Sequence, residues 1–105
     1  MSEQTKQESI GYIVKGMMDS AIPAKAVKKA IDLLWVMVPD QKDITNYDTS
    51  NFAVFVCEKL ELDNELIRDI NSSVYRAFDD TPVEGAGEYF RNFVSLVMPY
   101  RNFEK

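Results

Sequence analysis

Apolar residues recur at helical spacing along most of the chain. Ile10, Ile13, Val14, Met17 and Ala21 form one stripe and predict a first helix over about Thr5 to Asp19. Gly11 and Gly16 each weaken it by up to ~1 kcal/mol relative to Ala, so its packing has to carry it. Gly16 either marks a close helix crossing or is simply tolerated. Ser20 to Pro23 is the break. Ser20 can cap, and Pro23 suits a first turn, where its missing N–H has no partner. A second helix is then expected from Pro23 to Val38. Val27, Ile31, Leu34 and Val38 lie on one face, with Lys25, Lys28, Lys29 and Asp32 opposite. The run Leu33 to Val38 contains the only tryptophan and shows no polar face. An amphipathic surface helix keeps one. This half of the helix is therefore expected to be enclosed on all sides. The run alone would pass as a buried strand, but nothing breaks the helical pattern between Lys25 and Pro39.

Pro39 to Ser50 is the longest non-periodic segment, and long loops are often functional; a plain surface crossover is the simpler reading. A third helix is expected from near Ser50, with Asp48, Thr49 and Ser50 able to cap and Phe52, Phe55, Val56 and Leu60 as its stripe. It stops near Leu62. Asp63 is a good N-cap for a fourth helix, with Leu62 and Ile67 placed as a hydrophobic staple. Leu66, Ile67, Ile70, Val74, Ala77 and Phe78 give that helix one face down to about Asp79. Asp80 to Gly87 reads as a second loop, punctuated by Pro82, Gly85 and Gly87. A fifth helix follows from Gly87 to Met98, with Phe90, Phe93, Val94 and Val97 inward, and Pro99 ends or kinks it. Tyr100 and Phe103 beyond it are expected to pack on the core. The fold class is all-α: a single domain over residues 1–105, in which about five short helices surround a central buried helix at roughly 23–38.

Composition agrees with this pattern. Apolar residues make up 46% and charged residues 28%, ordinary globular values that argue against disorder of the whole chain. One cysteine, Cys57, allows no intramolecular disulfide and fits a reducing compartment. No apolar run approaches the ~20 residues that span a bilayer. The N-terminus is polar and acidic, unlike a signal peptide. A cytoplasmic protein without membrane contact is expected.

Charge changes the picture more. The net −5 hides a division. Residues 1–39 hold five lysines against four acids, residues 40–88 hold twelve acids against four cations, and residues 89–105 hold three cations against Glu104. The acidity belongs to the middle of the chain, where it favours basic partners and repels nucleic acid.

Candidate chemistry is thin. There is no histidine, hence no common general base or metal ligand. A calcium loop starting at Asp40 fails, because Lys42, Ile44 and Asn51 occupy ligand positions three, five and twelve. The carboxylate pairs Asp79/Asp80, Asp40/Asp43 and Glu58/Glu61 fall in loops or near helix ends and read as solvated surface. Cys57 has no histidine to activate it and reads as a buried, inert thiol. No phosphate loop, zinc spacing or nucleophile elbow occurs. Lys25, Lys28 and Lys29 make only a short basic edge on a chain of pI ≈ 4.6. No catalytic activity, cofactor or metal is expected.

The expected function is therefore a protein-binding module of inhibitor, immunity or adaptor type. It would dock a basic protein surface through the acidic 40–88 segment, with Asp40, Asp43, Tyr47, Asp48, Glu65, Asp69, Asp79, Asp80 and Glu84 as contact residues. A DNA mimic, with carboxylates standing in for phosphates, needs a more regular spacing of acids. A helical nucleic-acid reader built on helix two is disfavoured by the charge. A homo-oligomer, possible as a homodimer, would use whatever part of the Leu33–Met37 surface stays exposed.

Overall fold

Thr5 starts the first helix. Its hydroxyl accepts from the Glu8 N–H at 3.3 Å, and the Glu8 carboxylate accepts from the Thr5 N–H at 2.9 Å. This capping box satisfies two end donors reciprocally. The computed structural model describes residues 5–41, 43–82, 85–88 and 90–92. It is an all-α bundle, with α1 Lys6–Asp19, α2 Ala24–Met37, α3 Asn46–Lys59 and α4 Asn64–Asp80. Residues 85–88 and 90–92 are helical and are called α5; among the described residues there is no extended strand. Residues of the expected fifth helix beyond 92, and the tail with Tyr100 and Phe103, lie outside the described residues.

The two helical hairpins turn in the same way. Ala21 and Glu61 take left-handed backbone angles, φ 60 and 59. The Ile22 N–H reaches the Met17 carbonyl and the Leu62 N–H the Cys57 carbonyl, each at 3.2 Å. These are Schellman closures, in which a residue past the helix end reverses the chain and satisfies orphan carbonyls. The next helix follows at once, after Pro23 in one hairpin and Asp63 in the other. Asp63 stands at the expected N-cap, although its side chain makes no capping bond there.

Two loops are shorter than their composition suggests. The third helix begins at Asn46, not near Ser50. Thr45 caps it, accepting from the Asp48 N–H at 3.0 Å, while Asp48 accepts from the Thr45 N–H at 3.4 Å. Helix also resumes by residue 85, inside the segment expected to be loop to Gly87.

The central element is α1, not α2. Helix α1 buries every residue from Ser9 to Val14, then Gly16 and Met17. It packs against α2, α3 and α4. Its small residues explain why so many neighbours fit. A Cβ on Gly11 would overlap the Ala86 carbonyl of α5, and one on Gly16 would meet Val74 of α4. Ser9 and Thr49 share a buried hydrogen bond of 2.8 Å between α1 and α3. The Tyr12 hydroxyl donates to the Thr81 carbonyl at 2.7 Å, fastening the end of α4.

Helix α2, in contrast, is a wall of the bundle. It buries Val27, Ala30, Ile31 and Leu34. The run expected to be enclosed is two-faced: Leu34 and Val38 are buried, while Leu33 is 41% and Val36 86% exposed. Trp35 is half-buried, stacked on Phe90 with ring centroids 5.8 Å apart, and the Lys6 ammonium lies 4.1 Å above its ring. A continuous apolar run is thus compatible with a surface helix when its neighbours cover only one side.

Candidate protein-docking face

The outward side of α2 is built from Lys25, Lys29, Asp32 and Val36. At 100° per residue these fall within about 60° of one another. Leu33 lies beside them, toward α3. Helix α3 turns Phe55 to the same side, 46% exposed rather than inward as its stripe suggested. Its buried face is Thr49, Ser50, Ala53, Val56 and Cys57. Between the helices, Leu33, Val36, Met37, Phe55 and Val56 line an apolar groove of about 330 Å³, with Asp32 and Lys59 at its edges. The Lys59 ammonium stands 5.3 Å from the Phe55 ring centre. A second depression of about 250 Å³ continues the seam past Lys25, Ala26, Lys29, Leu60 and Leu62.

Charge is polarised along this seam. Lys25, Lys29 and Lys59 are exposed at the end where α2 begins and α3 finishes. Asp40 and Asp43 are exposed where α2 finishes, and half-buried Asp48 lies in the first turn of α3. Lys42 belongs to the same loop in sequence but lies outside the described residues. The groove itself carries one acid, Asp32, and one base, Lys59, among its apolar lining.

The residues singled out from sequence do not gather in one place. Asp40, Asp43, Tyr47 and Asp48 surround the start of α3, where Tyr47 is 70% exposed. Asp48 is partly committed to its capping bond. Glu65 and Asp69 are exposed one turn apart in the first half of α4, and Asp79 and Asp80 are exposed at its end. Fourteen residues of helix separate Glu65 from Asp79, about 21 Å. Asp69 shares a polar depression of about 390 Å³ with Asp19, Ser20, Ser72, Ser73 and Arg76. There Arg76 donates to the Ser73 hydroxyl at 2.9 Å. Glu84 lies outside the described residues. Leu33, Val36 and Phe55 were absent from the acidic contact set, although Leu33 and Val36 belong to the surface named above for a homo-oligomer. Their signal was positional: Leu33 and Val36 fall four and seven residues after Lys29, on its side of the helix.

Other chemistry has little to work with. Cys57 is fully buried, and burial, with a contribution from Glu58, pushes its thiol up to about 11. Among the described residues there is no group of three or more Cys, Asp or Glu able to hold a metal ion. No described helix is long and apolar enough to cross a membrane. Comparison with protein-family models, with curated proteins and with solved structures finds no match for the chain.

Proposed function

We propose that this is a non-catalytic protein-binding module of inhibitor, immunity or adaptor type, and that its docking face is the α2–α3 seam. The observation that carries this reading is Val36. It stands at the centre of an outward helix face with 86% of its surface in water, beside Leu33 and Phe55. Single exposed apolar residues are ordinary, but three that converge on one apolar groove make an anchor site. The acidic end at Asp40, Asp43 and Asp48 adds attraction for a basic group on the partner, which speeds association more than it deepens affinity. A DNA-mimic reading has less support. The acids of α4 are interleaved with Arg68 and Arg76, and the molecule measures 34 × 33 × 22 Å rather than forming a rod.

The test uses the whole chain as bait. Wild-type protein, Val36→Asp and Leu33→Asp are compared for crosslinking to partners in a lysate of the source organism. A protein captured by wild type and lost with both variants supports the seam as the docking face. Equal capture by all three, or none by wild type, overturns it.

A further inference from the structure

Helix α1 stops at Asp19, and the left-handed backbone at Ala21 turns the chain away into α2. On α4, Asp69, Ser72, Ser73 and Arg76 recur at helical spacing and form one stripe. Ser20, Ser72 and Ser73 are too small to fill the space that the departing chain leaves. The result is the depression of about 390 Å³ between the end of α1 and this stripe, walled by polar and charged side chains alone. It shares no residue with the α2–α3 seam.

Its charges are held in place. The buried Ser73 hydroxyl lies 3.2 Å from that of Ser20 and accepts an N–H of Arg76 at 2.9 Å. That bond draws the guanidinium back along α4 toward the depression. A guanidinium carries five donors in a rigid fork, and this contact uses one of them. Asp69 stands two turns before Arg76, about 10 Å along the axis. The two share the depression without an ion pair between them. Asp19 is held by Lys15 at 3.4 Å and keeps 47% of its side chain exposed. The site thus offers two anions and one cation around a row of hydroxyls.

We propose that this depression binds a free basic amino acid, arginine or lysine. At neutral pH such a molecule carries two cations and one anion, the mirror of the charges around the site. Its carboxylate meets the open fork of Arg76, a pairing that is often bidentate. Its side-chain cation reaches Asp69. Its α-ammonium lies toward Asp19, with the Ser20 and Ser72 hydroxyls as further partners. Other ligand classes fit less well. A phosphate would face two carboxylates against one arginine. An apolar ligand finds no apolar wall. A metal ion would have only two carboxylates here, and no larger group occurs among the described residues. The volume, about 390 Å³, lies near the lower end of small-molecule clefts and suits a ligand of this size. The site is open to water, so its ion pairs are screened, and a Kd on the order of 1 mM is expected.

Titration of the labelled full chain with L-arginine and with L-lysine, followed through amide NMR shifts, tests this. Saturable shifts centred on Asp19, Ser20 and residues 69–76 are expected. Citrulline replaces the guanidinium by a neutral group, argininamide masks the carboxylate, and N-acetylarginine masks the α-ammonium. Each is expected to bind about threefold more weakly than arginine, or worse. Asp69→Asn should erase the preference for arginine over citrulline and keep that over argininamide. Arg76→Gln should do the reverse. Damage to the fold would remove both preferences together, so the crossed pattern distinguishes a site from a structural defect. The absence of a saturable shift from either amino acid at up to about 30 mM overturns the proposal. Equal binding of arginine, citrulline and argininamide, or either preference surviving its own variant, overturns it as well.

Discussion

Gly16 of α1 lies directly against Val74 of α4. A Cβ added at residue 16 would stand 2.5 Å from the Val74 Cγ2 and 3.0 Å from its backbone nitrogen. Alanine there would gain up to ~1 kcal/mol of helix propensity. Forcing the helices apart costs about 1–3 kcal/mol. With the propensity gain offset against that cost, Gly16→Ala is therefore expected to destabilise the fold by about 0–2 kcal/mol in denaturant melts. Val74→Ala removes the nearer obstacle, so a double-mutant cycle should show positive coupling between the two sites.

Glu61 occupies the left-handed position that closes the α3–α4 hairpin, with φ 59. That geometry costs a non-glycine residue about 1–2 kcal/mol. Glycine adopts it freely but gives up more entropy on folding. Glu61→Gly is expected to stabilise the protein by about 0.5–1 kcal/mol, seen as a raised Tm. No gain would mean that the Glu61 side chain contributes more to this turn than its exposed position implies.

Tyr12 and Thr81 are joined by a 2.7 Å hydrogen bond. Tyr12→Phe keeps the ring contact with Phe78, whose centroid is 4.9 Å away, and removes only the hydroxyl. The loss is expected to be about 1 kcal/mol. Hydrogen exchange should speed up in the last turn of α4 before it does so elsewhere.

Cys57 gives stability an alkaline limit. Its thiol is held up at about 11 against an ordinary 9.0, because burial disfavours the thiolate. The folded state binds this proton more tightly than the unfolded state does. Its contribution is therefore complete below pH 9 and is lost as pH rises toward 11. The loss is expected to reach about 2–3 kcal/mol. Wild type should weaken more than Cys57→Ala over that window in urea melts. A thiol reagent at pH 8 should label Cys57 only on unfolding.

Leu34 and Val36 sit two residues apart on α2, yet one is fully buried and the other 86% exposed. Leu34→Ala is expected to cost about 2–5 kcal/mol. Val36→Lys should change stability by no more than about 0.5 kcal/mol.

Much of this fold was legible from periodicity and caps. Thr5, Asp63 and the α4 stripe mark their elements because each depends only on neighbouring residues. The start of α3 was also written locally. Thr45 and Asp48 stand three apart like a capping box, but aspartate replaces the usual glutamate, and the cluster of capping residues closer to Ser50 obscured it. The place of α2 was not legible. Counting apolar residues in Leu33 to Val38 shows that they want cover, not whether another part of the chain supplies it. That depended on Gly11 and Gly16, which let α4 and α5 close on α1 instead. The docking face was legible only in part: the exposed remainder of Leu33–Met37 was named for a homo-oligomer, but Phe55 was expected to point inward. Charge density along the sequence drew attention to residues 40–88, while the groove is formed where two helices meet.

The placement of α1 at the middle of the bundle also shapes how the protein is made. Tyr12 and Thr81 are 69 residues apart, so at about 5–20 residues per second the ribosome needs roughly 3–14 s to supply the second after the first. Until α4 is complete, Ile10, Ile13, Val14 and Met17 lack part of the cover that the finished bundle gives them. A message cut short before α4 would release this segment without its most extensive neighbour, making the early helix the part of the nascent chain that most needs a chaperone.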